Sequence, residues 1–123
     1  MDIKLFDSEL KVMELLWEAG PLTAGRLAAL LKEQIGWNRN TTYTVVKKLL
    51  EKGAVRRADP NFVCSALISR EQVQRQEADA LINKLFNGSA EVFLAAFLSG
   101  KTLTKEEIAR LTDLVDSTDE GSL

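Results

Sequence analysis

The sequence contains no histidine, one cysteine (Cys64), two prolines and no uninterrupted apolar run longer than Val92–Leu98. Each scarcity excludes a class of function. Zinc and copper sites draw on clusters of His and Cys, so a soft-metal site within one chain is not expected. Without histidine there is no Ser–His or Cys–His nucleophile pair. The seven glycines fall in neither the Gly-x-x-x-x-Gly-Lys nor the Gly-x-Gly-x-x-Gly pattern that cradles phosphate. A bilayer-spanning helix needs about 20 apolar residues, and the start, Met1-Asp2-Ile3-Lys4, lacks the basic-then-apolar layout of a secretory leader. The expectation is a soluble cytoplasmic protein that is not an enzyme, holds no metal or cofactor and does not insert in a membrane.

What remains is an ordinary globular composition. The chain has 123 residues, 46% hydrophobic and 28% charged, enough for one domain or two small subdomains that fold without disulfide or metal. Helical periodicity dominates. Leu10, Met13, Leu16 and Trp17 share one face of a first helix that opens near Asp7-Ser8 and stops at Gly20-Pro21. Thr23 is placed to cap a second helix with the stripe Leu27, Leu30 and Leu31, ending around Gln34-Ile35-Gly36. A third starts near Asn38, turns Thr42, Val45, Val46, Leu49 and Leu50 inward, and ends at Gly53.

The period then changes. Ala54–Arg57 and Phe62–Leu67 are short β-prone runs around the turn Asp59-Pro60-Asn61, which reads as a two-stranded hairpin. Helical patterning returns with the capping box Ser69/Gln72 and the stripe Val73, Ala78, Leu81, Ile82, Leu85 and Phe86. Asn87-Gly88-Ser89 interrupts it, and Ala90–Leu98 is a short, almost wholly apolar helix. Thr104/Glu107 is a second capping box, ahead of Ile108, Leu111, Leu114 and Val115.

Three helices and a hairpin in this order form a winged helix-turn-helix, in which the second of the paired helices enters the major groove. The expected class is mainly α: a winged-helix DNA-binding domain (1–68), a helical dimerisation region (69–116) and a flexible polar tail (117–123).

Charge supports a nucleic-acid surface once it is read locally. The net charge is −2, yet Trp37–Arg57 carries six cations against Glu51 alone, whereas Ala58 onward carries six cations against eleven acids. A polyanion feels the field within about 8–10 Å, not the average over the chain. With the inward face of the third helix fixed, Asn40, Tyr43, Thr44 and Lys47 lie together outward at i, i+3, i+4 and i+7, flanked by Asn38, Arg39, Thr41 and Lys48. Asn and Arg can bond base edges bidentately, Thr offers hydroxyl and methyl, and Lys neutralises phosphate. Arg56 and Arg57, just before the wing tip, are placed to grip the backbone. A solvated helix face capped at Asn38 is the plain alternative.

The helix Ala90–Leu98 has no polar face and must be covered on nearly all sides. A partner subunit can supply that cover, with Leu81, Leu85, Val92, Phe93, Phe97, Ile108, Leu111 and Leu114 as contacts. Cys64 is expected to pack as a small apolar side chain at the base of the wing, and Trp17 and Trp37 as packing residues.

These segments resemble a known family. Ser8-Glu9-Leu10-Lys11-Val12-Met13-Glu14-Leu15-Leu16-Trp17 is similar to the first-helix signature of the penicillinase repressor family, the BlaI/MecI/CopY group. Trp37 to Gly53 resembles its recognition-helix segment, matching at Trp37, Thr41, Thr44, Leu49, Lys52 and Gly53. Phe86-Asn87-Gly88-Ser89, Phe97-Leu98 and Leu103 resemble its C-terminal helices, so that the likeness covers residues 5 to 116. It implies a homodimeric repressor that binds double-stranded DNA at a palindromic operator. In the β-lactam-sensing members, repression is relieved by proteolysis triggered through a membrane sensor. The family's scissile Asn-Phe bond aligns with Ala96-Phe97, where the phenylalanine is kept and the asparagine is not. Two further departures are Asp59-Pro60-Asn61 in place of a glycine-containing wing tip, and Arg39 where proline is frequent. The paired Cys-x-Cys motifs of the copper-responsive branch are absent, which excludes copper sensing by that route.

Three classes of function are compatible with these residues to different degrees. A dimeric sequence-specific repressor leads. A winged-helix module that binds protein instead of DNA is the alternative, kept open by the acidic balance. An enzyme built on Glu106 and Glu107 is the third, and those carboxylates are better explained by helix capping and the helix dipole.

Overall fold

The computed structural model describes residues 3–121, with side chains through Ser117. Its elements run α1 (Asp7–Ala19), β1 (Leu22–Thr23), α2 (Ala24–Ile35), α3 (Arg39–Lys52), β2 (Val55–Ala58), β3 (Val63–Ala66), α4 (Arg70–Leu85), α5 (Ala90–Ser99) and α6 (Lys105–Gly121). The chain divides into two units, Met1–Asp79 and Ala80–Leu123, with α4 running across the division.

Local chemistry sets the helix ends of the first unit. Thr23 Oγ1 accepts the Arg26 amide at 3.0 Å, and Asn38 Oδ1 accepts the Thr41 amide at 2.8 Å, satisfying donors that the first turn leaves free. Gly36 and Gly53 close α2 and α3 in the left-handed conformation, at φ 74° and 78°. A Cβ at either position would meet nothing within 4 Å, so the dihedral itself selects glycine there. The Ser69/Gln72 and Thr104/Glu107 capping boxes form reciprocally at α4 and α6.

The first unit has one core. Val12, Met13 and Leu16 of α1 meet Leu27 and Leu31 of α2 and Val45, Val46 and Leu49 of α3, closed by Val55, Cys64 and Val73. Burying each of the larger aliphatic side chains stabilises the fold by roughly 1.5–3 kcal/mol. Trp17 packs against this cluster and its indole Nε1 donates to the Ile68 carbonyl at 2.9 Å. Thr42 is fully buried with Oγ1 unpartnered among the described residues.

The expected two-stranded hairpin is in fact part of a three-stranded antiparallel sheet, in the order β1-β3-β2. Leu22 pairs with Cys64 and Thr23 with Val63, while Val55 to Ala58 pair with Ala66 to Val63. Two residues are too short to carry a period-2 signal, and Thr23 serves at once as strand residue and helix cap. The hairpin strands start one residue later than the β-prone runs, at Val55 and Val63.

In the second unit, none of the described residues is buried. Phe93 sits edge-on to Phe86 at 5.3 Å and stacked with Phe97 at 5.9 Å. Ser89 caps α5 through the Val92 amide. Helix α6 runs to Gly121, into the stretch expected as a flexible tail, of which 122–123 lie outside the described residues. Among the described residues no single helix is long and apolar enough to cross a membrane.

Candidate nucleic-acid interface

The outward face of α3 is defined by what lies beneath it. Thr42, Val45, Val46 and Leu49 are buried and Leu50 is half-buried, which turns Asn40, Thr44, Lys47 and Lys48 to solvent. Asn38 and Arg39 are exposed at the helix start, and Thr41 and Tyr43 are half-buried. Arg56 and Arg57 are exposed on β2. Each residue chosen for this face from the sequence therefore has surface access, Tyr43 and Thr41 in part.

The cations differ in how they are held. Lys47, Lys48 and Arg56 make no ion pair among the described residues. Arg39 donates from Nη2 to the Tyr43 hydroxyl at 2.9 Å and lies 4.9 Å from the centre of that ring. Arg57 donates from Nε to Asp59 Oδ1 at 3.0 Å and lies 3.7 Å from the centre of the Phe62 ring.

Lys52 belongs elsewhere. Its Nζ pairs with Glu9, which is 1% exposed, and donates to the Lys4 carbonyl at 2.7 Å. The same Glu9 oxygen accepts the Phe6 amide at 2.8 Å, and the other carboxylate oxygen has no partner among the described residues. The basic stretch thus presents one positive charge fewer than its sequence count, because Lys52 anchors the end of α3 to the start of α1.

Two contributors escape a reading of the sequence. Glu9 resembles an ordinary first-turn acid, and its partner is 43 residues away. Phe62 resembles the first residue of a strand, but its backbone is left-handed at φ 53°. It also meets Tyr43 edge-on, with centroids 5.8 Å apart at 87°. An aromatic directly after a turn rich in Asp, Pro and Asn was the available hint.

A model of the penicillinase repressor family matches residues 5–117. The penicillinase repressor of Bacillus licheniformis is 24% identical over 115 residues, covering 92% of this chain and 90% of that protein. The methicillin resistance regulatory protein MecI of Staphylococcus aureus (strain N315) is 23% identical over 121 residues, covering 94% and 98%. The solution structure of the DNA binding domain of the repressor BlaI superposes with a TM-score of 0.53 at 24% identity, covering 57% of this chain and 88% of that one. The monomeric form of Bacillus licheniformis BlaI in complex with the blaP half-operator gives 0.50 at 24% identity, covering 58% and 90%. These likenesses establish the winged-helix fold of the N-terminal part. With the family match reaching from residue 5 to residue 117, the protein belongs to the penicillinase repressor family, a family of transcriptional repressors and not of enzymes.

Proposed function

We propose that this protein is a cytoplasmic, homodimeric repressor that reads a palindromic operator in double-stranded DNA through α3 and the β2–β3 wing. The observation that carries the reading is the solvent-facing set Asn40, Thr44, Lys47 and Lys48 on a helix whose opposite face is locked in the core. Asn40 and Thr44 supply base-edge bonding, with Asn38, Arg39, Thr41 and Tyr43 beside them. Lys47, Lys48, Arg56 and Arg57 supply phosphate contact.

The likeness to the penicillinase repressor of Bacillus licheniformis, and the half-operator bound in one BlaI structure, support DNA as the partner. The exposed apolar side chains of the second unit support dimerisation: Leu81, Leu85, Val92, Phe97, Ile108, Leu111 and Leu114 are all exposed, and Phe93 is half-buried. Two half-sites held in one dimer multiply a modest single-site affinity. Proteolysis or another inducing signal would end repression, and scission at Ala96–Phe97, through a membrane sensor protease system, is the proteolytic route. Both side chains are exposed on α5, and a helical bond must open locally before a protease can take it.

The test is binding to labelled duplex across a salt series. Affinity is expected to fall steeply with salt, and Lys47→Ala with Lys48→Ala to flatten the log–log slope by about 0.9 for each lost phosphate contact. Asn40→Ala or Thr44→Ala should instead relax preference at particular base pairs by about 1–3 kcal/mol. Absence of duplex binding even at low salt would overturn the reading in favour of a protein-interaction module.

A further inference from the structure

Phe62 carries the clearest unexplained feature of the first unit. A bulky residue other than glycine at φ 53° is strained, and such conformations persist where surrounding contacts over-determine them. Three elements meet on this residue. Its carbonyl accepts the Ala24 amide at the start of α2, at 3.0 Å. Its ring abuts Tyr43 of α3 and lies under the guanidinium of Arg57 from β2, 3.7 Å away. Tyr43 in turn takes the Arg39 hydrogen bond, so the aromatic pair stands between two arginines.

From this geometry, and resting on the DNA-binding reading above, we propose that Phe62 is a positioning residue of the DNA interface. It clamps the wing to the recognition helix and holds the Arg57 guanidinium for phosphate contact. A long arginine that is free in solution loses rotamer freedom when it binds. Stacking on Phe62 and the Asp59 bond to Nε fix Arg57 beforehand, and its terminal nitrogens have no partner among the described residues. Stacked guanidinium–aromatic pairs suit this task because the planar cation keeps its edge donors while its face is covered.

The test uses the full chain and has two parts. In the free protein, the Arg57 side-chain proton resonances should be shifted upfield by the Phe62 ring current. Phe62→Asn should abolish that shift, because asparagine tolerates the left-handed backbone without supplying a ring, and Phe62→Tyr should keep it. On duplex DNA, Arg57→Ala should lower the salt slope by about 0.9, whereas Phe62→Asn should keep the charge and weaken binding about 2–10-fold, and adding Phe62→Asn to Arg57→Ala should weaken binding no further. Phe62→Tyr should restore the wild-type affinity.

An unshifted Arg57 in the wild-type protein would overturn the clamp with no variant needed. Affinity that falls in Arg57→Ala but not in Phe62→Asn would overturn it while leaving DNA binding intact. A ring-current shift without any salt-dependent duplex binding would overturn the DNA reading, and the phosphate role of the clamp with it.

Discussion

The two units of this chain bury their apolar residues to very different degrees. In Met1–Asp79, the helices α1, α2 and α3 and the sheet enclose a continuous core in which Val12, Met13, Leu27, Leu31, Thr42, Val46, Leu49, Cys64 and Glu9 are each under 2% exposed. In Ala80–Leu123, helices of similar length leave Phe97 53% and Leu114 64% exposed, and none of the described residues is buried. Helix formation is local, satisfied by caps and propensity, whereas burial needs elements on several sides. The first unit has a sheet and crossed helices to provide them. Among the described residues the second has helices only, and the apolar surface it leaves open is of the kind that marks an interaction site.

The largest effect expected from this contrast lies in the first unit. Leu49→Ala removes a fully buried side chain from the centre of α3 and should cost about 2–5 kcal/mol in urea unfolding. A cost under about 1 kcal/mol would mean that the core does not enclose α3 as described.

Next comes Lys52→Ala, which leaves the Glu9 carboxylate buried without its cation. Removing one member of a buried pair costs about 3–5 kcal/mol when both are enclosed, and the lysine side chain keeps 27% exposure, so about 2 kcal/mol is expected. Lys52→Ala with Glu9→Leu should recover part of that loss, since no buried charge is then left unpaired. Unchanged stability in Lys52→Ala would return Lys52 to the solvent-facing cations.

Phe97→Ala probes the other side of the contrast. Its ring is half in solvent, so the stability of the first unit should change by less than about 0.5 kcal/mol. Self-association, read by sedimentation at graded concentrations, should weaken by about 2 kcal/mol or more, as for a central aromatic anchor. Unchanged association would move the proposed dimer contact away from this face of α5.

These contrasts also explain what could be read in the sequence. The boundaries of α1, α2 and α3, the caps at Thr23 and Asn38, and the outward set on α3 follow from signals within a few residues of one another. The pairing of β1 with β3 does not, because Leu22 and Cys64 are joined only through the folded core. The same holds for Glu9 with Lys52 and for Arg57 on Phe62. Periodicity reports which face of an element is apolar. It does not report which distant polar group comes to that face, nor that a phenylalanine will be held at a positive φ.

Cys64 gives the smallest effect and separates burial from charge within the wing. Burial raises its thiol above the ordinary 9.0, and the Arg57 cation nearby works in the opposite direction. A raised folded value means that the unfolded chain loses this proton first. The contribution to stability is therefore fully present below the ordinary thiol value and is lost as pH rises through the folded one. Urea midpoints should be flat in this respect up to that value and decline above it, and Cys64→Ala should remove that part of the decline. Arg57→Ala should carry the decline to higher pH, because the cation that draws the thiol down has gone. An alkaline decline unaltered by Cys64→Ala would overturn the thiol's part in it, and with it the effect of burial on this group in the core of the first unit.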